Sequence, residues 1–294
     1  MANLKEIKRK IKSTKGTQKT TNAMKLVSSS KLKKAEDFAK KSKYYESKLT
    51  GFIQEISQNI KDVNSTTDNK FIKEHSIIKN INIIFITSDK GLCGGFNSRT
   101  INQVTKLIEF YKDHNINVKL TAIGKKGISY FKFNKIELSD EIIDLSSTPD
   151  YDRSKEIIVN KIEDYLNGNV DKLILVYNGF KNLISQELKI KQLLPIDTSN
   201  LYSLTDRAET YSYRELEPDD ENEILDSLVK KYVEYSLYYA LIDSLAAEHS
   251  SRMQAMDTAT RNAKDMVKKL SIKYNKARQE SITTELIEII SGLQ

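Results

Sequence analysis

Five consecutive residues, Gly91-Leu92-Cys93-Gly94-Gly95, form the densest group in the chain whose types could do chemistry. A glycine-rich turn between a strand and a helix can cradle a phosphate with its backbone N–H groups, and a cysteine can act as a nucleophile. The spacing fits neither common phosphate template. A dinucleotide turn needs G-x-G-x-x-G, and a P-loop needs Lys followed by Ser or Thr where this chain has Phe96 and Asn97. The segment therefore reads as a tight turn whose glycines allow positive φ or close backbone packing. No general base can be assigned to Cys93 and its neighbours Leu92 and Phe96 are apolar, so it reads as a buried, inert thiol. With one cysteine and three histidines (His75, His114 and His249) there is no internal disulfide and no metal-ligand spacing, and neither a metal nor a cofactor is expected.

The other reactive groups have plainer readings. His249 lies beside Glu248 and Arg252 but lacks the further partners of a catalytic histidine, so it reads as a packed or contact residue. Asp219, Asp220, Glu221 and Glu223 gather where a long helix begins and favour the positive end of its dipole. Tyr232, Tyr235, Tyr238 and Tyr239 read as core and flank packing and not as a base-stacking platform.

Three kinds of element must hold these residues. Between Pro218 and Gly292 there is neither proline nor glycine, and positions 228, 232, 235, 239, 242, 246, 249, 253, 256, 260 and 263 continue a seam with a heptad rhythm. Seventy residues at about 1.5 Å each span on the order of 100 Å, so such a helix needs a partner. The segment from about residue 3 to 60 supplies one. Its only helix-weakening residues are Gly16 and Gly51, and Leu32, Ala35, Phe38, Tyr45, Leu49, Phe52 and Ile56 mark its stripe, with Ser42 filling a gap. Earlier the stripe runs through polar Thr14, Gln18 and Thr21 and resumes at Met24 and Val27 in shifted phase. Small residues at Ala246, Ala247, Ser250 and Ser251 predict close approach of the two helices. Between them, Ile81 to Thr87, Val118 to Ile123 and Leu173 to Tyr177 read as buried strands alternating with amphipathic segments at 98–112, 125–133 and 154–166. Glu187 to Leu194 reads as a further strand. The fold class is α+β with an α/β centre: an antiparallel coiled coil of the terminal helices around a Rossmann-like domain with a mostly parallel sheet. The expected division is 1–60 (helix), 61–218 (α/β domain with its junctions at 61–70 and 196–220) and 219–294 (helix).

Charge narrows the function. The chain carries +7, but residues 1–50 hold 14 Lys and one Arg against four carboxylates, which leaves the rest mildly acidic. A basic field at one end implies contact with phosphates, lipid headgroups or a carboxylate-rich protein surface. The first 37 residues contain no aromatic, which weighs against base stacking. No apolar run exceeds six residues, which excludes a membrane span, and the basic start lacks the apolar stretch of a secretory signal. A basic coiled-coil polyanion binder is the alternative reading from another class.

Four segments resemble the gamma subunits of F-type ATP synthases. They are Thr17-Gln18-Lys19-Thr20-Thr21-Asn22-Ala23-Met24-Lys25-Leu26-Val27, Ser88-Asp89-Lys90-Gly91-Leu92-Cys93-Gly94-Gly95-Phe96-Asn97, Glu248-His249-Ser250-Ser251-Arg252-Met253-Gln254-Ala255-Met256, and Ala277-Arg278-Gln279-Glu280-Ser281-Ile282-Thr283-Thr284-Glu285. The resemblance implies a non-catalytic rotor shaft inside a ring of three alpha and three beta subunits, with the epsilon subunit and the c-subunit ring at its foot and no nucleic acid. It implies rotation that couples proton flow to ATP synthesis, at the cytoplasmic face of the energy-coupling membrane. It also implies partner-contact or coupling roles for Met24, Arg252, Arg278, Gln279, Thr283 and Glu285. The chain departs from the family pattern at Leu293-Gln294, where a small residue usually follows Ser-Gly, and it lacks the cysteine-bearing regulatory insertion of plastid relatives.

Overall fold

A computed structural model describes residues 4–63, 70–71, 78–196 and 221–292, without the side chains of 54–63 and 221–225. The expected junctions at 61–70 and 196–220 fall mostly outside these residues, as do Asp219, Asp220, Leu293 and Gln294. The elements are α1 (Leu4–Val63), β1 (Asn80–Ile86), α2 (Phe96–Asp113), β2 (Asn117–Ile123), α3 (Lys125–Phe133), β3 (Asp140–Ile142), α4 (Tyr151–Leu166), β4 (Lys172–Phe180), β5 (Gln186–Leu194) and α5 (Glu221–Ser291). They form two compact units: one of 1–30 with 252–294, the other of 31–251.

In the larger unit a five-stranded sheet runs β3-β2-β1-β4-β5. β1 to β4 are parallel, and β5 returns antiparallel to β4 with Val176 opposite Ile190. Alternation along β1 sets the two faces. Ile81, Ile83 and Phe85 turn toward Ile101, Val104 and Ile108 of α2 and Phe131 of α3. Ile84 and Ile86 turn the other way, toward Ile158 and Ile162 of α4, Leu49 and Ile53 of α1, and Val233, Leu237 and Leu241 of α5. With helices on both faces, β1 and β4 are buried along nearly their whole length, as their unbroken apolar runs require. The short β3 carries no apolar run (Asp140-Glu141-Ile142), which is why the sequence did not announce it.

In this unit α5 from Val229 to Ser251 is buried on nearly every face, because sheet, α4 and α1 surround it. Its small residues serve a purpose other than helix approach alone: Ala247 packs on Cys93 and Phe96, and the Ser251 hydroxyl donates to the Cys93 carbonyl at 2.6 Å. The α1 stripe also differs from the expected one. Leu32, Ala35, Ser42 and Leu49 are buried as expected, but Phe38, Tyr45 and Phe52 are exposed, Phe38 by 62%, and Ala39 and Ile53 are buried beside them. The stripe holds a strict 3.5-residue rhythm through small and polar positions, whereas a search for bulk finds the neighbouring face.

In the smaller unit the same rhythm continues in α1 through Ile7, Thr21 and Ser28, all buried, and in α5 through Met256 and Ala263. There is no change of phase: Val27 is exposed, and Lys25 and Ser28 carry the seam. Lys25 pairs with Asp257 at 2.6 Å, Thr21 with Thr260 at 2.8 Å, and Thr14 touches Met266, so numbers rise on one helix as they fall on the other. The helices are antiparallel, and Tyr45 against Tyr235 repeats that sense in the larger unit.

Candidate functional site

In an open parallel sheet ligands bind beyond the carboxyl ends of the strands, where the order of strands reverses. Here that place lies beyond β1 and β4, and it is filled. The Gly91–Gly95 turn crosses it with Leu92 at φ 63° and Gly94 at φ 56°. Cys93, Phe96 and Ala247 pack together there with Phe180 against them. The Asn97 amide donates to Cys93 Sγ at 3.3 Å, and the Cys93 thiol is buried. The turn thus seats a helix where a nucleotide-binding relative of this architecture would seat a phosphate.

Asp89 organises the same edge. Its carboxylate accepts from the Lys125 N–H (3.1 Å), the Asp144 N–H (3.3 Å) and the Ser146 hydroxyl (2.9 Å). Burial works against its charge, but these donors outweigh it and hold the carboxyl below the ordinary carboxylate range. Gly124, at φ 104°, brings the end of β2 against Thr87, and a Cβ there would lie 2.0 Å from the Thr87 carbonyl oxygen. The site is a packed structural corner with no reactive group left over.

The remaining titratable groups fall in with this. His249, Glu248 and Arg252 are all buried in α5. Among the described residues no three His, Cys, Asp or Glu side chains gather as a metal site. The tyrosines pack: Tyr235 lies 4.4 Å from Tyr45 and 5.9 Å from Tyr238, ring to ring, and Tyr238 meets Tyr151 edge-on. Burial raises the Tyr239 hydroxyl above its usual range and pushes Tyr165 up to about 12.

What the surface offers is contact. In the smaller unit Met24 is half-buried beside exposed Leu26 and Val27. Lys8, Arg9, Lys12, Lys15 and Lys19 are exposed along α1. Near the end of α5, Arg278, Gln279, Thr283 and Glu285 are exposed. The Thr283 hydroxyl donates to the Gln279 carbonyl at 2.9 Å, and the Ser281 hydroxyl donates to Glu285 at 3.2 Å. Around them Ile282, Leu286, Ile287, Ile289 and Ile290 are exposed, Ile290 by 68%. Five large apolar side chains within nine residues form an exposed patch of the kind that marks interaction surfaces. Arg252 is the one expected contact residue that is buried. Among the described residues no helix is long and apolar enough to cross a membrane. The sequence reading passed over Lys189 and Lys191 of β5, two lysines at alternate positions on a face packed against helices; a strand charged on its inner face was the available signal.

Comparison with known proteins gives a consistent answer. A profile of the ATP synthase family matches residues 3–294. The ATP synthase gamma chain of Sulfurovum sp. (strain NBC37-1) is 58% identical over the whole of this chain and 99% of its own length. Those of Wolinella succinogenes and Campylobacter jejuni are 55% and 56% identical, again over the whole chain. Among solved structures, the central stalk and c-ring assembly of Tetrahymena thermophila mitochondrial ATP synthase contains a chain 28% identical with a TM-score of 0.61, covering 82% of this chain and 99% of that one. A chain of the Euglena gracilis mitochondrial enzyme shares the fold at 17% identity with a TM-score of 0.64, covering 99% of this chain and 93% of that one.

Proposed function

The chain belongs to the gamma-subunit family of F-type ATP synthases, and from that premise we propose the part its own residues play. It is a non-catalytic stalk subunit, the central rotor shaft of the F1 sector, and it couples proton flow through the membrane sector to ATP synthesis at the beta subunits by rotation. It is a peripheral part of a membrane-associated complex. In our reading residues 1–60 and 219–294 serve as the shaft and 61–218 as its foot. The shaft's partners are the ring of three alpha and three beta subunits; those of the foot are the epsilon subunit and the c-subunit ring, on the cytoplasmic side of the membrane.

The observation that carries this reading is the exposed end of α5, where Ile282, Leu286, Ile287, Ile289 and Ile290 surround Arg278, Gln279, Thr283 and Glu285. An apolar end of this size is stable in water only when sheathed, and an apolar sleeve lets a shaft turn because apolar contact is non-directional. Polar residues set among the apolar ones give the turning surface an angle-dependent grip. Met24, with Leu26 and Val27, supplies a second grip on the opposite helix, and Arg252 acts from within the packed region. Each angle then contacts the open and closed states of a beta subunit unequally and shifts their equilibrium, which is how a non-catalytic shaft drives synthesis. The exposed lysines of α1 suit an acidic surface on the ring.

Arg278→Ala tests the reading in membrane vesicles. The expected result is weakened assembly or reduced coupled synthesis, with nucleotide binding by the isolated ring unchanged. Normal coupled synthesis in that variant refutes the contact role. Recovery of nucleic acid in place of nucleotide-binding subunits, when the tagged chain is purified from its membranes, refutes the rotor role itself.

A further inference from the structure

Both long helices are fastened to the sheet of the larger unit by two lysines of one strand. Lys189 and Lys191 stand two apart on β5 and so share a face. Lys191 Nζ meets Glu46 Oε1 of α1 at 2.5 Å and donates to the Ser236 hydroxyl of α5 at 3.2 Å, with the Tyr232 ring 4.8 Å away. Lys189 Nζ meets Asp243 Oδ2 of α5 at 2.7 Å, between the rings of Tyr177 and Tyr239. The other oxygen of Asp243 accepts the Phe180 N–H of β4 at 3.0 Å. Tyr232, Ser236, Tyr239 and Asp243 are spaced four, three and four apart, one stripe of α5 turned toward β5. The backbone makes room for the second pair: a Cβ on Gly179 would lie 2.5 Å from Asp243 Oδ2 and 2.8 Å from Lys189 Nζ.

Stability alone does not call for this arrangement. Apolar side chains of similar volume would hold the strand to the helices about as well, because two partly buried ion pairs cost desolvation that their attraction only roughly returns. Directional contacts supply something else. A seam with a heptad rhythm looks much the same after a slide of seven residues, about 10 Å, so apolar packing alone leaves the axial register of a long helix pair weakly defined. An ion pair to one glutamate and one aspartate breaks that degeneracy. Glu46 itself occupies a seam position, between Ser42 and Leu49, and is therefore a charged member of a repetitive stripe, as Lys25 is in the smaller unit.

We propose that Lys189 and Lys191 are positioning residues that lock the register of α1 and α5 against the sheet, so that torque passes between sheet and helices without slip. This rests on the rotor reading, and the test separates the two. Assembled complex in native membrane vesicles is compared for wild type, Lys191→Met, and the charge exchange Lys191→Glu with Glu46→Lys. Proton uptake per ATP hydrolysed is read alongside the amount of assembled complex. Lys191→Met is expected to assemble and hydrolyse ATP while protons moved per ATP fall roughly threefold, and the exchange is expected to recover most of that loss.

A full yield of protons per ATP in Lys191→Met, or an exchange that restores assembly and thermal stability but not the yield, overturns the proposal. Wild-type vesicles whose ATP-driven proton uptake survives removal of this chain overturn the rotor reading instead. Should Lys191→Met fail to assemble, the full chain carrying Cys93→Ser is probed by disulfide formation. Tyr45→Cys with Tyr235→Cys, whose rings meet in the native pair, reports the native register, and Tyr45→Cys with Ile242→Cys reports a slip of one heptad. Only the native crosslink forming in Lys191→Met again overturns the proposal.

Discussion

The polar interruption in the α1 seam makes a sharp prediction. Thr21 is buried and shares a hydrogen bond with Thr260 across the helix pair at 2.8 Å. Each hydroxyl also has a local acceptor: Thr21 lies 3.1 Å from the Gln18 carbonyl and Thr260 lies 2.7 Å from the Met256 carbonyl. Thr21→Val keeps shape and volume and removes the cross-helix bond. Thr260 keeps its bond to Met256, so no donor is stranded, and the cost is that of one net hydrogen bond, about 1 kcal/mol. That corresponds to a roughly fivefold increase in local opening. Thr260→Val costs a similar amount. The double variant replaces both partners by apolar groups of the same shape, and its stability returns to within about 0.5 kcal/mol of wild type or rises above it. Since the two compact units need not unfold together, the assay is amide hydrogen exchange on the α1 and α5 segments around these residues, which reads opening of the pair directly. Costs that simply add in the double variant would refute the reasoning, because they would mean that each threonine is held by something other than its partner.

Two glycines of the chain should answer in opposite directions. At Gly124 the positive φ, and the Thr87 carbonyl oxygen only 2.0 Å from where a Cβ would sit, make Gly124→Ala destabilising by more than about 2 kcal/mol in denaturant unfolding. At Gly16, in the first third of α1 with nothing within 4 Å of such a Cβ, Gly16→Ala should stabilise by about 0.5–1 kcal/mol. Asp89 sets a pH dependence. Its folded carboxyl titrates below its ordinary value, so its stabilising effect is present above that value and is lost as pH falls through the folded one. Asp89→Asn should therefore be less stable than wild type near neutrality, and the gap should close on acidification below the ordinary carboxylate range; a gap that is constant with pH in acid unfolding curves contradicts the assignment.

How much was legible depended on whether a feature is local or periodic. The two long helices follow from the absence of proline and the scarcity of glycine, and β1, β2 and β4 from short apolar runs bounded by turn residues. The proposed contact residues at 278–285 came from motif resemblance, and the structure adds that they are exposed among apolar neighbours. Which face of α1 is the seam was not legible from side-chain bulk. Phe38 and Phe52 are larger than Ala39 and Ile53, but phase is set by the partner helix along the whole pair and not by local hydrophobicity. The inner pairing of Lys189 and Lys191 was hidden for a related reason: a lysine on a strand reads as solvent-facing until the carboxylates of Glu46 and Asp243, distant in sequence, are brought to it.

The sequence by itself determined every element but β3, and their order, because helix length, strand patterning and turn chemistry are properties of neighbouring residues. It also determined the family, because four motifs recur in order along the chain. Only the tertiary structure decided that the Gly91–Gly95 turn seats Ala247 and Ser251 of α5, that the α1 seam takes Ala39 and Ile53 in place of Phe38 and Phe52, and that one strand grips both helices. Each of these joins residues from distant parts of the chain, and its energy exists only once the fold has brought them together.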